Sequence, residues 1–262
     1  MQTSSYLETE KKLKIRIHAH TAYANFTLED WLLGWLGNST GHRLLEIGCG
    51  DGNFFPTYAQ ALGSKGLIVG FDINHDLLRR AREMHRRQLT PGIVFPWNFD
   101  QHPYPLLDEE VDIVIAPFSA YYANDVPAWV NDSLRVVRRG GRLLLLGPTK
   151  DNAQELYELN EMVTGIGSVP ELDHTSTALE TTFLPELCKS IGDQVKYTIL
   201  DRRIIFPSAE EFAQYYFATW LYETTREQVG APIEFESVRK AAQETSLQLN
   251  KKIICIEACK KQ

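Results

Sequence analysis

Gly48-Cys49-Gly50-Asp51-Gly52 follows the apolar run Leu44-Leu45-Glu46-Ile47 and precedes a helix-forming stretch that opens at Phe55. Glycines at this spacing make a tight strand-to-helix turn whose backbone can approach a ligand closely. Such a turn alone serves a dinucleotide, an adenosyl compound or no ligand at all. The acids around it narrow the choice. Asp72 closes the second apolar run, 22 residues after Gly50, where a carboxylate accepts hydrogen bonds from both hydroxyls of a ribose. Glu46 ends the first run beneath the loop, a poor neighbour for a pyrophosphate and a good one for a cation. Asp100, past the third run, can accept from an exocyclic adenine amine, and Ile73 can cover the adenine with apolar surface. Each acid alone also reads as a solvated loop carboxylate, Asp72 less so than Asp100, but together they favour a cationic nucleoside over a doubly negative one.

The elements that would hold these residues alternate. Short apolar runs predict strands at Arg43–Ile47, Leu67–Phe71, Ile93–Trp97, Val111–Ala116, Arg142–Gly147, Tyr197–Ile205 and Lys252–Ala258. Helical periodicity falls between them at Phe55–Leu62, Asp76–Gln88, Val126–Arg138 and Leu179–Ile191, with additional helices at Asp151–Val163 and Ala209–Tyr222. This is the pattern of an α/β protein with a parallel sheet covered on both faces. About forty helical residues precede it, ending in the capping box Thr27-Leu28-Glu29-Asp30 ahead of Trp31, Leu32 and Leu33.

Composition removes several classes. At 262 residues one large domain with a buried core suffices. The formal charge of −7 (27 Lys and Arg, 34 Asp and Glu) opposes a phosphate backbone, so nucleic acid is not the expected partner. The arginines at 79, 80, 82, 86 and 87 share a helix with Leu77, Leu78 and Ala81 and read as its solvated face. No stretch has the length of a signal core or membrane span, so the chain is expected to be cytoplasmic with no membrane partner. Cys49, Cys188, Cys255 and Cys259 lack metal-ligand spacing and are expected as free thiols. His18-Ala19-His20 has no third ligand in view and reads as part of an amphipathic helix, so no metal site is expected.

Leu44 through Phe54 (LLEIGCGDGNF), Gly70-Phe71-Asp72-Ile73, Asn98-Phe99-Asp100 with Tyr104-Pro105, Val111-Asp112-Ile113-Val114 and Leu134 through Arg142 resemble, in order and spacing from about Arg43 to Thr149, the motifs of small-molecule class I S-adenosylmethionine-dependent methyltransferases. The resemblance implies a Rossmann-like, doubly wound seven-stranded sheet, mostly parallel, with an antiparallel last strand for which Leu249–Cys259 is the candidate. It implies S-adenosylmethionine as cofactor, with Gly48, Gly50 and Gly52 along its methionine part and Asp72 on the ribose. Asp100 and the backbone near Gln101 would take the adenine edge, Glu46 the amino-acid end, and Pro117 would also belong to the cofactor site. The organisation expected is an N-terminal helical lid segment at 1–40 and a methyltransferase domain at 41–262 with helical inserts at about 151–192 and 207–246.

Methyl transfer is an in-line displacement that asks the protein mainly to hold the nucleophile and exclude water. In the resembling family substrate groups gather after the fourth strand, here Pro117 through Asn124, whose aromatic residues suit a sulfonium. Tyr121 and Tyr122 are candidates for substrate contact, and Tyr122 for catalysis, although a tyrosine pair also fits core or lid packing. His174 is the candidate base, with a solvent-exposed loop histidine as the plainer reading. Tyr23 and Asn25 are lid candidates for substrate contact. Tyr216, in the aromatic cluster from Phe212 to Tyr222, reads first as helix packing and second as a substrate wall. The acceptor expected is a small molecule, through oxygen or nitrogen before carbon; oligomeric state is left open. An NAD-dependent oxidoreductase and a non-catalytic S-adenosylmethionine-binding module are the alternatives, the first weakened by a third glycine one residue early for GxGxxG.

Overall fold

The structure, a computed structural model, describes residues 10–261. Along the chain lie α1 (Glu10–Ala22), α2 (Leu28–Leu36), β1 (Arg43–Ile47), α3 (Phe55–Leu62), β2 (Leu67–Asp72), α4 (His75–His85), β3 (Gly92–Pro96) and β4 (Val111–Pro117). A 3-10 turn (Ala120–Tyr122) leads to α5 (Val126–Val136), β5 (Val137–Pro148), α6 (Gln154–Thr164) and α7 (Pro170–Ala178). A π-helical turn (Leu179–Phe183) joins α7 to α8 (Leu184–Ile191), and β6 (Val195–Ile205), α9 (Ala209–Phe217), α10 (Trp220–Val229), α11 (Phe235–Gln243) and β7 (Gln248–Cys259) complete the chain.

The seven strands form one sheet in the order β3-β2-β1-β4-β5-β7-β6. β1 pairs in parallel with β2 and β4, β2 with β3, and β4 with β5, whereas β7 runs antiparallel to β5. The α/β, mostly parallel sheet with an antiparallel last strand is thus present. β1 lies at the centre because Leu44 through Ile47 are buried on both faces, as a strand covered by helices on each side requires. The strand order reverses between β1 and β4, and in open α/β sheets this switch point places a crevice at the carboxyl ends of the strands.

The chain divides into two compact units. The sheet unit comprises Leu28–Lys150, His174–Leu200 and Ile253–Gln262. Its core gathers Leu45, Ile47, Phe71, Val114 and Leu145 with Trp129, Phe183 and Leu187 from the helices. α2 packs on α3 in this unit, so the structure parts the expected 1–40 segment after Thr27. Arg142 fixes α2 by donating to the carbonyls of Trp35 and Leu36 at its C-terminus, where a cation is favoured.

The helical unit comprises the described residues up to Thr27, Asp151–Asp173 and Asp201–Lys252. Its core holds Leu159, Phe206, Phe212, Tyr216, Val238 and Leu249. Four features refine the sequence reading. The helix expected over Ala209–Tyr222 breaks in two, because Thr219 accepts from the Tyr222 N–H (3.3 Å) and caps a new helix. Pro170–Ala178 and Phe235–Gln243, inside the expected helical inserts but not assigned there as separate helices, form α7 and α11. α1 is only weakly two-sided: Ala19 alone among its described side chains is fully buried.

Candidate functional site

The glycine loop connects β1 to α3 with all three glycines left-handed: φ is 70° at Gly48, 54° at Gly50 and 76° at Gly52. Other residues reach this region only at a cost of roughly 1 to 2 kcal/mol. The turn is closed by N–H groups of Gly48 and Cys49 on the Phe71 carbonyl (2.9 and 3.0 Å) and of Gly52 on the Cys49 carbonyl (2.9 Å). What surrounds each glycine differs. A Cβ at Gly48 would lie 2.6 Å from the Ser119 Cβ, and one at Gly52 2.8 Å from the Phe55 ring. A Cβ at Gly50 would meet nothing within 4 Å. Gly48 and Gly52 are therefore packing glycines, and Gly50 presents bare backbone to open space.

Asp72 holds this loop as well as facing its open side. One carboxylate oxygen accepts from the Gly50 N–H (2.9 Å) and the other from the Asn74 N–H (2.8 Å). Each carboxylate oxygen has two lone pairs, so one acceptor site per oxygen is left for a pair of hydroxyls. Asn74 in turn caps α4 by accepting from Asp76 and Leu77 N–H groups, which anchors the turn between β2 and α4. Ile73 is 63% exposed, an unusual solvent position for an isoleucine and a suitable one for an apolar cover.

Glu46 is 2% exposed, and its Oε2 makes no well-formed hydrogen bond. Burial holds its carboxyl well above the usual carboxylate range; the Tyr58 hydroxyl beside it partly offsets this, and the acids Asp51 and Asp72 add to it. Tyr58, buried on α3, is pushed upward by the same burial and by Glu46. Cys49 is likewise driven up by burial and by Glu46 and Asp72, which makes it a neutral thiol rather than a nucleophile.

Asp100 leaves β3 on a segment anchored by the buried Asp132, which accepts from the Tyr104 N–H (2.6 Å) and pairs with His102 (3.0 Å) and Arg135. Both Asp100 oxygens accept from Asn124, one from its backbone N–H (2.9 Å) and the other from its side-chain amide. The Gln101 N–H donates to the Asn98 carbonyl (2.8 Å), and the Gln101 carbonyl accepts from the Trp97 indole N–H (3.1 Å). The backbone at Gln101 is thus engaged within its own turn.

The segment after β4 joins the same cluster. Pro117 is buried at the end of β4, and Phe118 follows with φ of 55°, an unfavourable backbone state for an aromatic residue. That turn brings the Ser119 hydroxyl onto the Ile47 carbonyl (2.6 Å) directly under Gly48. Tyr121 is buried, its ring 3.3 Å from where a Gly147 side chain would begin, so it packs on β5 rather than standing open to substrate. Tyr122 is 61% exposed, with its ring centroid 4.7 Å from that of Tyr121. His174 is exposed on α7, not in a loop.

Tyr23, Asn25 and Tyr216 belong to the helical unit and are engaged there. Tyr23 donates to Glu211 (2.6 Å) on the wall of a cleft of about 240 Å³ between α1 and α9. Asn25 accepts from the Arg203 N–H (3.0 Å). Tyr216 is fully buried and donates to Asn160 (2.5 Å), which makes it a core residue, the first of its two readings, and leaves it no open face as a substrate wall. His18 and His20 turn to different partners, Tyr23 and the Arg202–Tyr215 pair. Burial, with Lys251, Arg202 and Arg16 nearby, pushes the pKa of His20 down to about 2. The described residues contain no group of three or more His, Cys, Asp or Glu placed to hold a metal ion, and no helix long and apolar enough to cross a membrane. The described cysteines are free.

Sequence reasoning missed Tyr58, Ser119 and Asn124. Asn124 and Ser119 lay within the quoted post-β4 segment, but their partners are 24 and 72 residues away. Only the tertiary structure pairs them.

Residues 45–145 match the family model of a methyltransferase domain. The chain is 30% identical over 143 residues to a ubiquinone/menaquinone biosynthesis C-methyltransferase of Shewanella woodyi, covering 53% of this chain and 55% of that protein. It is 28% identical over 181 residues to a 27-O-demethylrifamycin SV methyltransferase of Amycolatopsis mediterranei, covering 66% and 65%. The chain thus spans between about half and two thirds of the length of these curated relatives. Among solved structures, a putative methyltransferase of Bacillus halodurans shares the fold with a TM-score of 0.61 at 15% identity, over 90% of this chain and 99% of that one. An S-adenosylmethionine-dependent methyltransferase of Aquifex aeolicus does so with 0.56 at 14% identity, over 95% and 97%. The glycine loop, Asp72 and β2 to β4 all lie within the matched segment: over residues 45–145 the chain carries a methyltransferase domain, in a fold that it shares with S-adenosylmethionine-dependent methyltransferases.

Proposed function

We propose that this protein transfers the methyl group of S-adenosylmethionine to a small-molecule acceptor. The observation that carries the reading is the open space over Gly50, bordered by Asp72 and underlain by the buried carboxyl of Glu46, which has no counter-ion among the groups acting on it. A dinucleotide would bring its pyrophosphate to such a loop and could gain nothing from ionising the buried acid, whereas a cationic cofactor can pair with its carboxylate form. Gly50 and its neighbours would line the methionine part, Asp72 would take the ribose hydroxyls, and Asp100 with Asn124 would form the adenine end. When bound, the cofactor supplies a methyl carbon activated by its sulfonium. The chain's own residues bind, orient and exclude water, and no side chain has to be alkylated: Cys49, the nearest thiol, is held neutral.

The relatives' names support a ring system as acceptor. One methylates a quinone precursor at carbon and another a rifamycin at oxygen, so an aromatic or quinone-like molecule is the first to test, with oxygen, nitrogen and activated carbon all open as the accepting atom. Tyr122 is the site residue we assign to acceptor contact, because it is exposed on the segment whose other end supports Gly48. The test is calorimetry with S-adenosylmethionine and S-adenosylhomocysteine, followed by turnover on a panel of phenols and quinols. A folded sample that binds neither compound overturns the reading.

A further inference from the structure

The Glu46 carboxyl is 2% exposed at the end of the central strand, and its Oε2 has no hydrogen-bond partner. The groups acting on it come from three directions: Tyr58 from α3, Cys49 and Asp51 from the glycine loop, and Asp72 from the end of β2. None of these carries a positive charge. An ionised carboxylate in such a place would be desolvated, repelled by two further acids and short of donors, a state costing several kcal/mol. Burying a carboxyl without a counter-ion usually ends in protonation instead. The surrounding acids are needed, since Asp72 holds the loop, so the charge imbalance is built into the fold and awaits a cation from outside.

We propose that Glu46 is neutral in the ligand-free protein and gives its proton to solvent when a cationic cofactor enters, so that the cofactor's positive charge meets a negative charge created by its own binding. This rests on the S-adenosylmethionine reading above and adds a role for one residue within it. Glu46 acts as a positioning residue that senses charge and forms no bond to the methyl group. The balance is simple: one O–H bond of the carboxyl is lost, the proton goes to water or buffer, and a carboxylate–cation pair replaces it. At a pH below the value at which Glu46 titrates in the free protein, binding must displace the proton, and affinity rises with pH by up to about tenfold per unit. Above that value the site is already ionised and affinity is flat. A ligand without positive charge gains nothing from the same step.

Calorimetric titrations with S-adenosylmethionine and S-adenosylhomocysteine, each in two buffers of different ionisation enthalpy, count the protons released. The pH is stepped from about 5 to about 9, the range in which buried carboxyls titrate. Close to one proton is expected at the low end, falling towards none at the high end, and none attributable to this site in Glu46→Gln. Release with both compounds assigns the cation to their shared ammonium, and release with S-adenosylmethionine alone assigns it to the sulfonium; both outcomes support the proposal. Infrared difference spectra supply a readout independent of the variant's affinity: the carbonyl stretch of a protonated carboxyl should disappear when ligand is added to the parent protein and be absent from Glu46→Gln. Binding with no proton release and no loss of that stretch overturns this inference and leaves the cofactor reading standing. Failure of the folded protein to bind either compound overturns both.

Discussion

Replacing Asp72 by alanine tests the site at its most connected residue. The carboxylate accepts the Gly50 and Asn74 N–H groups at 2.9 and 2.8 Å, and both donors lose their partner in Asp72→Ala. Hydrogen bonds to a charged acceptor contribute roughly 1.5 to 3 kcal/mol each, but Asp72 is partly exposed and water replaces part of the loss. About 1 kcal/mol per bond is therefore the working figure, about 2 kcal/mol in all, which lowers the melting temperature by about 4 to 8 °C in a chain of this size. If the remaining acceptor sites hold ribose hydroxyls, cofactor affinity falls by a further 1.5 to 3 kcal/mol, roughly ten- to a hundredfold or slightly more. Thermal melts without ligand and calorimetry with S-adenosylhomocysteine separate the two effects. A lower melting temperature with unchanged affinity would reduce Asp72 to a tie for the loop. Unchanged values in both experiments would refute the account of the loop itself.

Three further substitutions read the same geometry. Gly50→Ala places its methyl in open space and pays only for φ of 54°, about 1 kcal/mol, yet it occupies the face where the cofactor would lie; a melt that barely moves with a collapse in binding is expected. Gly52→Ala, with a Cβ 2.8 Å from Phe55 and 3.2 Å from the Ala81 backbone, should cost about 2 to 4 kcal/mol of stability, measured by urea unfolding. Glu46→Gln should change the pH dependence of ligand-free stability. The native pKa lies above the model-compound value of 4.5, so the native state holds the proton longer and stability falls as pH rises above 4.5, by about 1.4 kcal/mol per unit until the native group titrates. The variant lacks this slope, and parallel pH profiles would refute the assignment. His20 works in the opposite sense: with a native pKa of about 2 against 6.5, stability is full above 6.5 and lost as pH falls below it. His20→Gln should flatten the acid limb of the unfolding curve between about pH 6.5 and 4.

The sheet was legible because β1, β2, β4 and β5 contain short apolar runs, and a fully buried parallel strand leaves that trace wherever it occurs. The loop was legible for a related reason: Gly48, Gly50 and Gly52 each need a positive φ, so local backbone geometry dictates residue type. The parts that escaped are set by partners distant in sequence. The break at Thr219 depends on a side-chain cap competing with continuation of an aromatic helix, and nothing in the hydrophobic period of Phe212 to Tyr222 marks it. Tyr216 reads as helix packing from its spacing, but its buried partner Asn160, on α6, lies 56 residues away and could not be named. Gln101 stands beside a candidate acid in the chain, but its N–H is spent on Asn98, a turn bond that residue type does not announce.

Glu46 shows how the two levels meet. Its position after Leu44-Leu45 already placed a carboxyl on a buried strand, where a charged side chain is rare unless paired. Sequence could treat it as a fixed negative charge suited to a cation. Burial changes the physics: without a cation nearby the same carboxyl favours its neutral form, and the attraction exists only once a ligand brings the opposite charge. Asp72 differs because its two backbone donors and its exposure let it stay in contact with water while holding the loop. One acid therefore organises the site before binding and the other responds to it. The balance between them turns on burial, and moving either carboxyl to the other's environment would exchange those roles.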